Sequence, residues 1–597
     1  MLHLEGYFAL VLHAHLPFVR HLEHKTSLEE RWLFEAITEC YLPLLAAFDR
    51  LRRDGIPFEL TMSLTPPLLA MLSDDALQKR YETYLKNQIH LAEREKVRVY
   101  GDAAFAPLAC FYADHFRATK NQWDALGGNI IGAFARLADE GHLELLSCSA
   151  THAFLPGLLP TYEGVRSQLE LGKKAFRHFV GREPLGLWTP ECAFDPRFDR
   201  EIGRAGFRFT IVDTHGITDA VPTPPFGAYA PIVSPGGTAF FARDPEASEQ
   251  VWARSTGYPG DPWYRDFYRD IGFDLAASDL GEHVIGNGER LMTGIKYHRI
   301  TGDSSSGGHS KEPYQPGVAR SRAEAHGEHF VRARLAQLRR IATDRAQTAG
   351  FEAHDREGIE KENRAFPPIM TAPYDAELFG HWWFEGPLFL EAVFRAFDRA
   401  SKEGWQPDDH GDPLLPVSSV RLQPITLRRY LEKHPFCFSA MPAASTWGKD
   451  GYGEVWIGNE TGWMWRHVHH ATRYAVWLRE KFLGEISKKE GANTHRGKAF
   501  TLLLREVLLL QSSDWAFIVT TATSVAYAEA RFRAHIRRIR HLGYLVESGH
   551  ESAPPGDPKE RSWASEWLWM DRLDENDNFL KQFPEEALRS AFDSAIV

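Results

Sequence analysis

Four short stretches concentrate side chains that could do chemistry: His13-Ala14-His15, Ser149-Ala150-Thr151-His152, Glu191 in LWTPECAF (187–194), and Asp375 in APYDAELFGHWW (372–383). Glu191 follows an apolar run and sits between a proline and a cysteine. Apolar surroundings push a carboxyl pKa upward, so such a group is either structurally satisfied or working. His13 and His15 are two apart, and alternate residues of a strand share one face, so both can point into one site. Each stretch alone has a plain structural explanation. Two histidines can be satisfied core residues, and Asp375 could be a helix N-cap accepting backbone N–H groups. Jointly, two carboxyls and three histidines with tryptophans beside them exceed what packing requires. A Glu and an Asp with aromatic platforms suit glycosidic bond cleavage, one carboxylate attacking or stabilising the sugar cation while the other carries the proton. The competing chemistry is a divalent-metal site of His13, His15 and His152 with Asp213 or Asp375, as in a metal-dependent deacetylase. The His-x-His spacing fits both.

The elements that must carry these residues are legible as apolar runs with polar tips. YFALVLHAH (7–15), FELTMSL (58–64), LELLSCS (143–149), LGLWTPE (185–191), FRFTIVD (207–213) and PIMTAPYDAE (368–377) read as parallel strands with their chemistry at the C-terminal end. Helical patterns fill the gaps, as in 27–55 with Ser27 as N-cap and Gly55 closing the segment. Six or more such units predict an α/β barrel whose working face gathers the strand tips. Residues 74–140 are too long for one crossover and read as a helical insert. Residues 214–285, rich in Pro, Gly and aromatics, read as a loop region over the barrel mouth, and 302–317 as a flexible loop. Beyond about 445 the strand patterns give way to amphipathic helices (463–485, 497–511, 523–541), with a linker-like break at 547–562. The expected division is therefore a barrel over 1–445 and a helical unit over 446–597. In the tail, the spacing of Trp563 and Trp567 puts both on one helical face, and these, with Trp569, are expected to pack back onto the fold.

Composition narrows the partners. The 597 residues carry 80 acidic against 69 basic side chains, a net charge of −11 with no long basic block, which argues against nucleic acid and anionic membranes. No run of about 18 apolar residues occurs, so no membrane span is expected. The opening MLHLEGYFALVLHAHLPF reads as a buried strand and not as a signal peptide. Cys40, Cys110, Cys148, Cys192 and Cys437 are scattered without a C-x-x-C pair and read as reduced thiols of a cytoplasmic protein. The 17 tryptophans leave room for flat sugar platforms beyond the needs of a core.

The stretches HAHLPFV (13–19), LELLSCSATHAFLP (143–156), LWTPECAF (187–194), TAPYDAELFGHWWFEGP (371–387), STWGKDGYGEVWIGNETGWMW (445–465) and QSSDW (511–515) together resemble glycoside hydrolase family 57, and within it the glucan-branching members. They span nearly the whole chain. The resemblance implies a (β/α)7 barrel with a helical insert and a helical C-terminal domain completing a glucan groove. It implies Glu191 as nucleophile and Asp375 as general acid/base of a retaining mechanism. It also implies His13, His15 and His152 as sugar ligands, Trp382, Trp447, Trp456 and Trp463 as groove aromatics, Asp514 as a polar contact from the helical domain, and no metal or other cofactor.

The donor and acceptor are expected to be α-1,4-glucan, such as amylose or glycogen, with the chain transferred to a 6-hydroxyl to give an α-1,6 branch. Histidines and backbone donors are expected to hold the charge of Glu191, and retention predicts a carboxyl separation near ~5–5.5 Å. Phe240, Phe241, Tyr229 and Tyr258 are the candidates for an aromatic cover over the site. An α-amylase or 4-α-glucanotransferase of the same family, or a glucan-binding protein without turnover, would share these residues. Core packing remains a competing role for Trp447 and Trp456, and a packing role is expected for Cys192.

Overall fold

The computed structural model describes the chain except residues 1, 25–26, 254–255, 285–287, 289, 302–310, 349–355, 404–416, 487–493, 550–559, 577–578, 581–582, 584 and 597. The loop expected at 302–317 and the break at 547–562 fall largely outside the described residues.

Seven parallel strands form the scaffold. In spatial order they are β7 (Ala239–Ala242), β5 (Phe209–Val212), β4 (Gly186–Trp188), β3 (Leu143–Cys148), β2 (Leu60–Leu64), β1 (Leu2–Ala14) and β8 (Ile369–Asp375). The two ends meet where Arg243, one residue past β7, bridges Thr371 in parallel and the Asp244 amide donates to the Thr371 carbonyl at 2.7 Å. This is a (β/α)7 barrel. Short strands β6 (Ile232–Val233) and β10 (Phe438–Ser439) extend the β7 side, and β9 (Val417–Pro424) pairs with β1. The strand at 239–242 corrects the reading of 214–285 as loop throughout: AFFA is buried sheet, and its Pro- and Gly-rich flanks hid a strand of only four residues.

β1 is buried through nearly its whole length because helices cover one face and barrel side chains the other, hence its unbroken apolar run. Phe8 shows the packing. It meets Phe330 of α4 (Pro316–Thr348) and Phe397 of α5 (Gly386–Glu403), each at 5.5 Å between ring centroids, and truncating such a side chain costs ~3–5 kcal/mol. Between β2 and β3 lie α1 (Asp75–Arg98), α2 (Ala106–Leu126) and α3 (Ile130–Asp139). Past 445 come α6 (Gly462–Ile486), α7 (His495–Leu510), α8 (Ser513–Thr521) and α9 (Val525–Ser548). α7 is buried on all sides, the mark of a central helix in a bundle. No helix among the described residues is long and apolar enough to cross a membrane.

Candidate active site

Register brings the tips together. His13 on β1 lies beside Ser63 of β2 and Asp375 of β8, and Cys148 on β3 beside Trp188 of β4, three residues before Glu191. The chain leaves β4 by a tight turn in which Glu191 (φ 65°) and Cys192 (φ 49°) are both left-handed, as is His152 (φ 54°) past β3. Left-handed conformations cost a non-glycine residue of order 1–3 kcal/mol each, and they persist where the surroundings force them. Here the turn is closed by Cys192 N–H to Thr189 O (2.9 Å) and Ala193 N–H to Pro190 O (3.0 Å), which leaves the Glu191 side chain in the site. Cys192 is buried core, as expected.

A hydrogen-bonded chain crosses the site. Ser63 Oγ lies 2.6 Å from His13 Nδ1, His13 Nε2 2.9 Å from His152 Nε2, and His152 Nδ1 2.8 Å from Ser513 Oγ. Ser513 Oγ in turn donates to Glu191 Oε1 at 2.9 Å. An ionised Glu191 only accepts, which fixes every proton upstream: Ser513 accepts from His152 Nδ1–H, His152 Nε2 accepts from His13 Nε2–H, and His13 Nδ1 accepts from Ser63. Burial pushes both histidines well below their ordinary pKa, and the neighbouring His15 imidazole pushes the same way, so both are neutral. His13 also stacks on Trp188 at 4.3 Å. His15 lies over His152 at 3.7 Å, its Nδ1 2.9 Å from Thr65 Oγ1 and its Nε2 3.0 Å from Asp514 Oδ1.

The two carboxyls are perturbed alike by different surroundings. Glu191, 8 % exposed, is pushed up to about 7 by burial, against which Trp447 Nε1–H (3.0 Å to Oε2) and Ser513 work. Asp375 is pushed up to about 7 by burial and then by the charge of Glu191, while His15 and Arg243 pull the other way. Its carboxyl has no hydrogen-bond partner among the described residues. One proton shared by the pair therefore resides on Asp375, and the two titrate as a unit. That is the arrangement of a nucleophile beside an acid.

The expected support for Glu191 is corrected in one respect. The histidines are neutral and act on the carboxylate through Ser513, while the direct donors are a serine and a tryptophan from the helical side. Ser513 is not evident from the sequence, where Asp514 stands out in QSSDW; the signal it leaves is the serine pair, in which Ser512 caps α8 and Ser513 stands in the first turn. Trp447 meets Glu191 directly. Trp382 is 52 % exposed and stacks on Phe267 at 4.4 Å, an open ring beside the Asp375 turn. Trp456 is 1 % exposed and stacked on Phe154 at 5.0 Å, with its indole N–H on the side of Glu191, whose charged form it favours. Trp463, at the start of α6, is half-buried with its edge on Phe532. Of the cover candidates, Phe240 and Phe241 are buried in β7, Tyr258 bonds His329 and Tyr229 lies by Gln337, so their contacts are elsewhere. In the tail, Trp567 meets His495 and Trp569 meets His541. The side chain of Trp563 falls outside the described residues.

Among the described residues, His15, His152 and Asp514 bring ligand atoms within 4.8 Å of one another, the grouping that could receive a cation. The ring nitrogens of both histidines are already engaged in the contacts above. Asp213, offered for a metal set, instead pairs with Arg243 at 3.2 Å and bonds the Thr214 amide.

The family model for glycosyl hydrolase family 57 matches residues 9–305, and that for the C-terminal region of 1,4-alpha-glucan branching enzymes matches 467–582. A 1,4-alpha-glucan branching enzyme of Thermococcus kodakarensis is 30 % identical over 572 residues, covering 90 % of this chain and 73 % of that protein. The chain belongs to glycosyl hydrolase family 57. Solved structures share the fold from end to end. The GH57-type branching enzyme of Pyrococcus horikoshii aligns with TM-score 0.75 at 28 % identity, over 98 % of this chain and 96 % of its own. An alpha-amylase, AmyC of Thermotoga maritima, aligns with TM-score 0.80 at 35 % identity, over 98 % and 99 %.

Proposed function

We infer that the chain is a 1,4-α-glucan branching enzyme, which cleaves an α-1,4 bond by a retaining double displacement and passes the freed chain to a 6-hydroxyl. The observation that carries this reading is the pair Glu191 and Asp375 at the strand tips, with two hydrogen-bond donors on the first and, among the described residues, none on the second, which burial and the Glu191 charge push up to about 7. Glu191 attacks the anomeric carbon as Asp375 gives its proton to the leaving 4-oxygen. The bond to carbon consumes the Glu191 charge, so the repulsion that held the Asp375 proton disappears. Asp375 then takes the proton of the incoming hydroxyl, that oxygen attacks the anomeric carbon, and Glu191 leaves as a carboxylate. His13, His15 and His152, with Asp514, face the sugar at the cleavage point, and Trp382 offers it a ring.

Branching and hydrolysis differ only in which oxygen attacks in the second step, so exclusion of water decides between them. The branching assignment is supported by the match of the helical unit, the unit that also supplies Ser513. The second reading, an α-amylase, is favoured by the Thermotoga neighbour. We place the enzyme in the cytoplasm, making a glycogen-type polymer, a reading supported by its five free cysteines. The test is incubation with amylose. Branching lowers the iodine stain and yields new short chains after debranching while reducing ends stay nearly constant. Reducing ends that rise in step with stain loss would establish the amylase, and stain loss by Glu191→Gln equal to that of the unaltered enzyme would remove the whole reading.

A further inference from the structure

Helix α6 carries two stripes. Met464, Val468, Ala471, Ala475 and Leu478 are buried against the bundle. Beside them Trp463, His467, His470, Tyr474 and Trp477 recur at steps of four, three, four and three, which keeps them on one side of the helix. The core accounts for only part of this second stripe, since Trp463 and Tyr474 also lean on it. His470 is exposed, Trp477 is 43 % exposed, and Tyr544 on the neighbouring α9 is 59 % exposed.

The rings are held in order. His470 and Tyr474 lie 6.1 Å apart with planes 5° from parallel, and Tyr474 and Trp477 6.0 Å apart at 14°. Tyr474 lies against Gly543 of α9, where a Cβ would meet the ring at 2.2 Å, and its hydroxyl donates to Glu547 Oε1 at 2.6 Å. The Lys481 ammonium sits 4.3 Å from the Trp477 ring centre and fixes its orientation. Beside the rings opens a cavity of about 150 Å³, with His467, His470, Tyr474 and Arg540 around a floor that includes Leu510 and Ile539.

The chain links this face to the catalytic site. Leu510 ends α7 three residues before Ser513, and α6 begins six residues after Trp456, the residue stacked on Phe154. From Trp463 to Trp477 the stripe runs roughly 21 Å at 1.5 Å per residue. Rings about one hexose unit apart, interspersed with imidazole and guanidinium donors, match the alternation of apolar ring faces and hydroxyls along a glucan.

We propose that this face of α6, together with Tyr544, is a second α-glucan site, a track that holds a polymer chain leading away from the catalytic groove. It rests on the reading of the chain as an enzyme of α-glucan. The full-length double variant Trp477→Ala/Tyr544→Ala tests it, since both side chains are exposed and their loss leaves the fold intact, as thermal unfolding can check. Migration in native gels with and without amylose reads binding independently of turnover. Retardation of the unaltered protein should weaken roughly 5- to 30-fold in the variant. KM for amylose should rise alongside, while kcat and KM on short maltooligosaccharides stay unchanged.

Equal retardation of both proteins, or no retardation of either, overturns the track. So does a variant that changes only the oligomeric state, which would make the face a contact between copies. An unaltered protein that is retarded yet inert toward amylose would overturn the enzymatic reading and leave the track standing.

Discussion

Ser513→Ala isolates the link between the two halves of the molecule. The substitution removes the hydroxyl that donates to Glu191 Oε1 and leaves the Ser513 backbone amide on the His152 carbonyl at 3.0 Å, so the local chain stays in place. A hydrogen bond to a charged group is worth ~1.5–3 kcal/mol. At 1.36 kcal/mol per unit this corresponds to a rise of roughly 1–2 in the pKa of the carboxylate it served. One contact opposes the loss: His152 Nδ1, freed of its acceptor, is 3.7 Å from Glu191 Oε1 and can close part of the gap. A neutral N–H arriving from that distance recovers less than the hydroxyl gave, so the net shift remains upward, near one unit at the low end. The acid limb of kcat/KM against pH reports the free enzyme's essential base. It should move up by roughly 1–2 units, with kcat/KM at pH 6 falling roughly 10- to 100-fold. Ser513→Thr keeps the hydroxyl and should restore the limb. An unmoved acid limb, a defect confined to KM, or a threonine variant as impaired as the alanine one would refute the assignment of Ser513 as the residue that holds the nucleophile ionised.

Two other substitutions probe the groups around it. For Asp375→Asn the sign follows from the raised pKa: the fold disfavours the ionised form, a penalty that is absent below the unfolded value near 3.8, grows as pH rises and is complete above about 7. The amide should thus stabilise by up to ~4 kcal/mol at pH 8 and by well under ~1 kcal/mol at pH 4 in chemical denaturation, while turnover drops by roughly 10²–10⁴-fold. Arg265→Met should cost ~3–5 kcal/mol, because Arg265, 3.0 Å from Glu39, overrides burial and holds that buried carboxyl well below the carboxylate range. Glu39 also bonds His381 at 3.1 Å, next to Trp382, so a denaturation midpoint unchanged in Arg265→Met would show that the pair does not anchor this turn.

What the sequence made legible follows from what each feature requires of its neighbours. Glu191, Asp375 and the histidine pair stood out because a buried parallel strand demands a continuous apolar run, against which an ionisable tip is conspicuous. β7 did not, since four apolar residues between glycine and proline segments satisfy a loop or a buried strand equally well, and only the bridge from Arg243 to Thr371 explains why the barrel needs them. Trp456 was legible as a tryptophan but not as a partner of Phe154, because no local pattern records that contact. Ser513 lies 322 positions from Glu191, and its contact depends on the docking of α8 against the barrel.

That distance also has a functional meaning. The barrel alone supplies a carboxylate that burial keeps near neutrality, poor as a nucleophile at neutral pH because its ionised form is disfavoured. Trp447 and Ser513, joined by Trp456, provide donors on segments that reach Glu191 from outside the seven strands and work against that burial. The left-handed turn at Glu191 can be strained for the same reason, since the Trp447 amide bonds the Glu191 carbonyl at 3.1 Å and locks the turn from that side. On the proposed function, the nucleophile is therefore completed only when the C-terminal segments are seated, which makes the helical unit part of the catalytic apparatus.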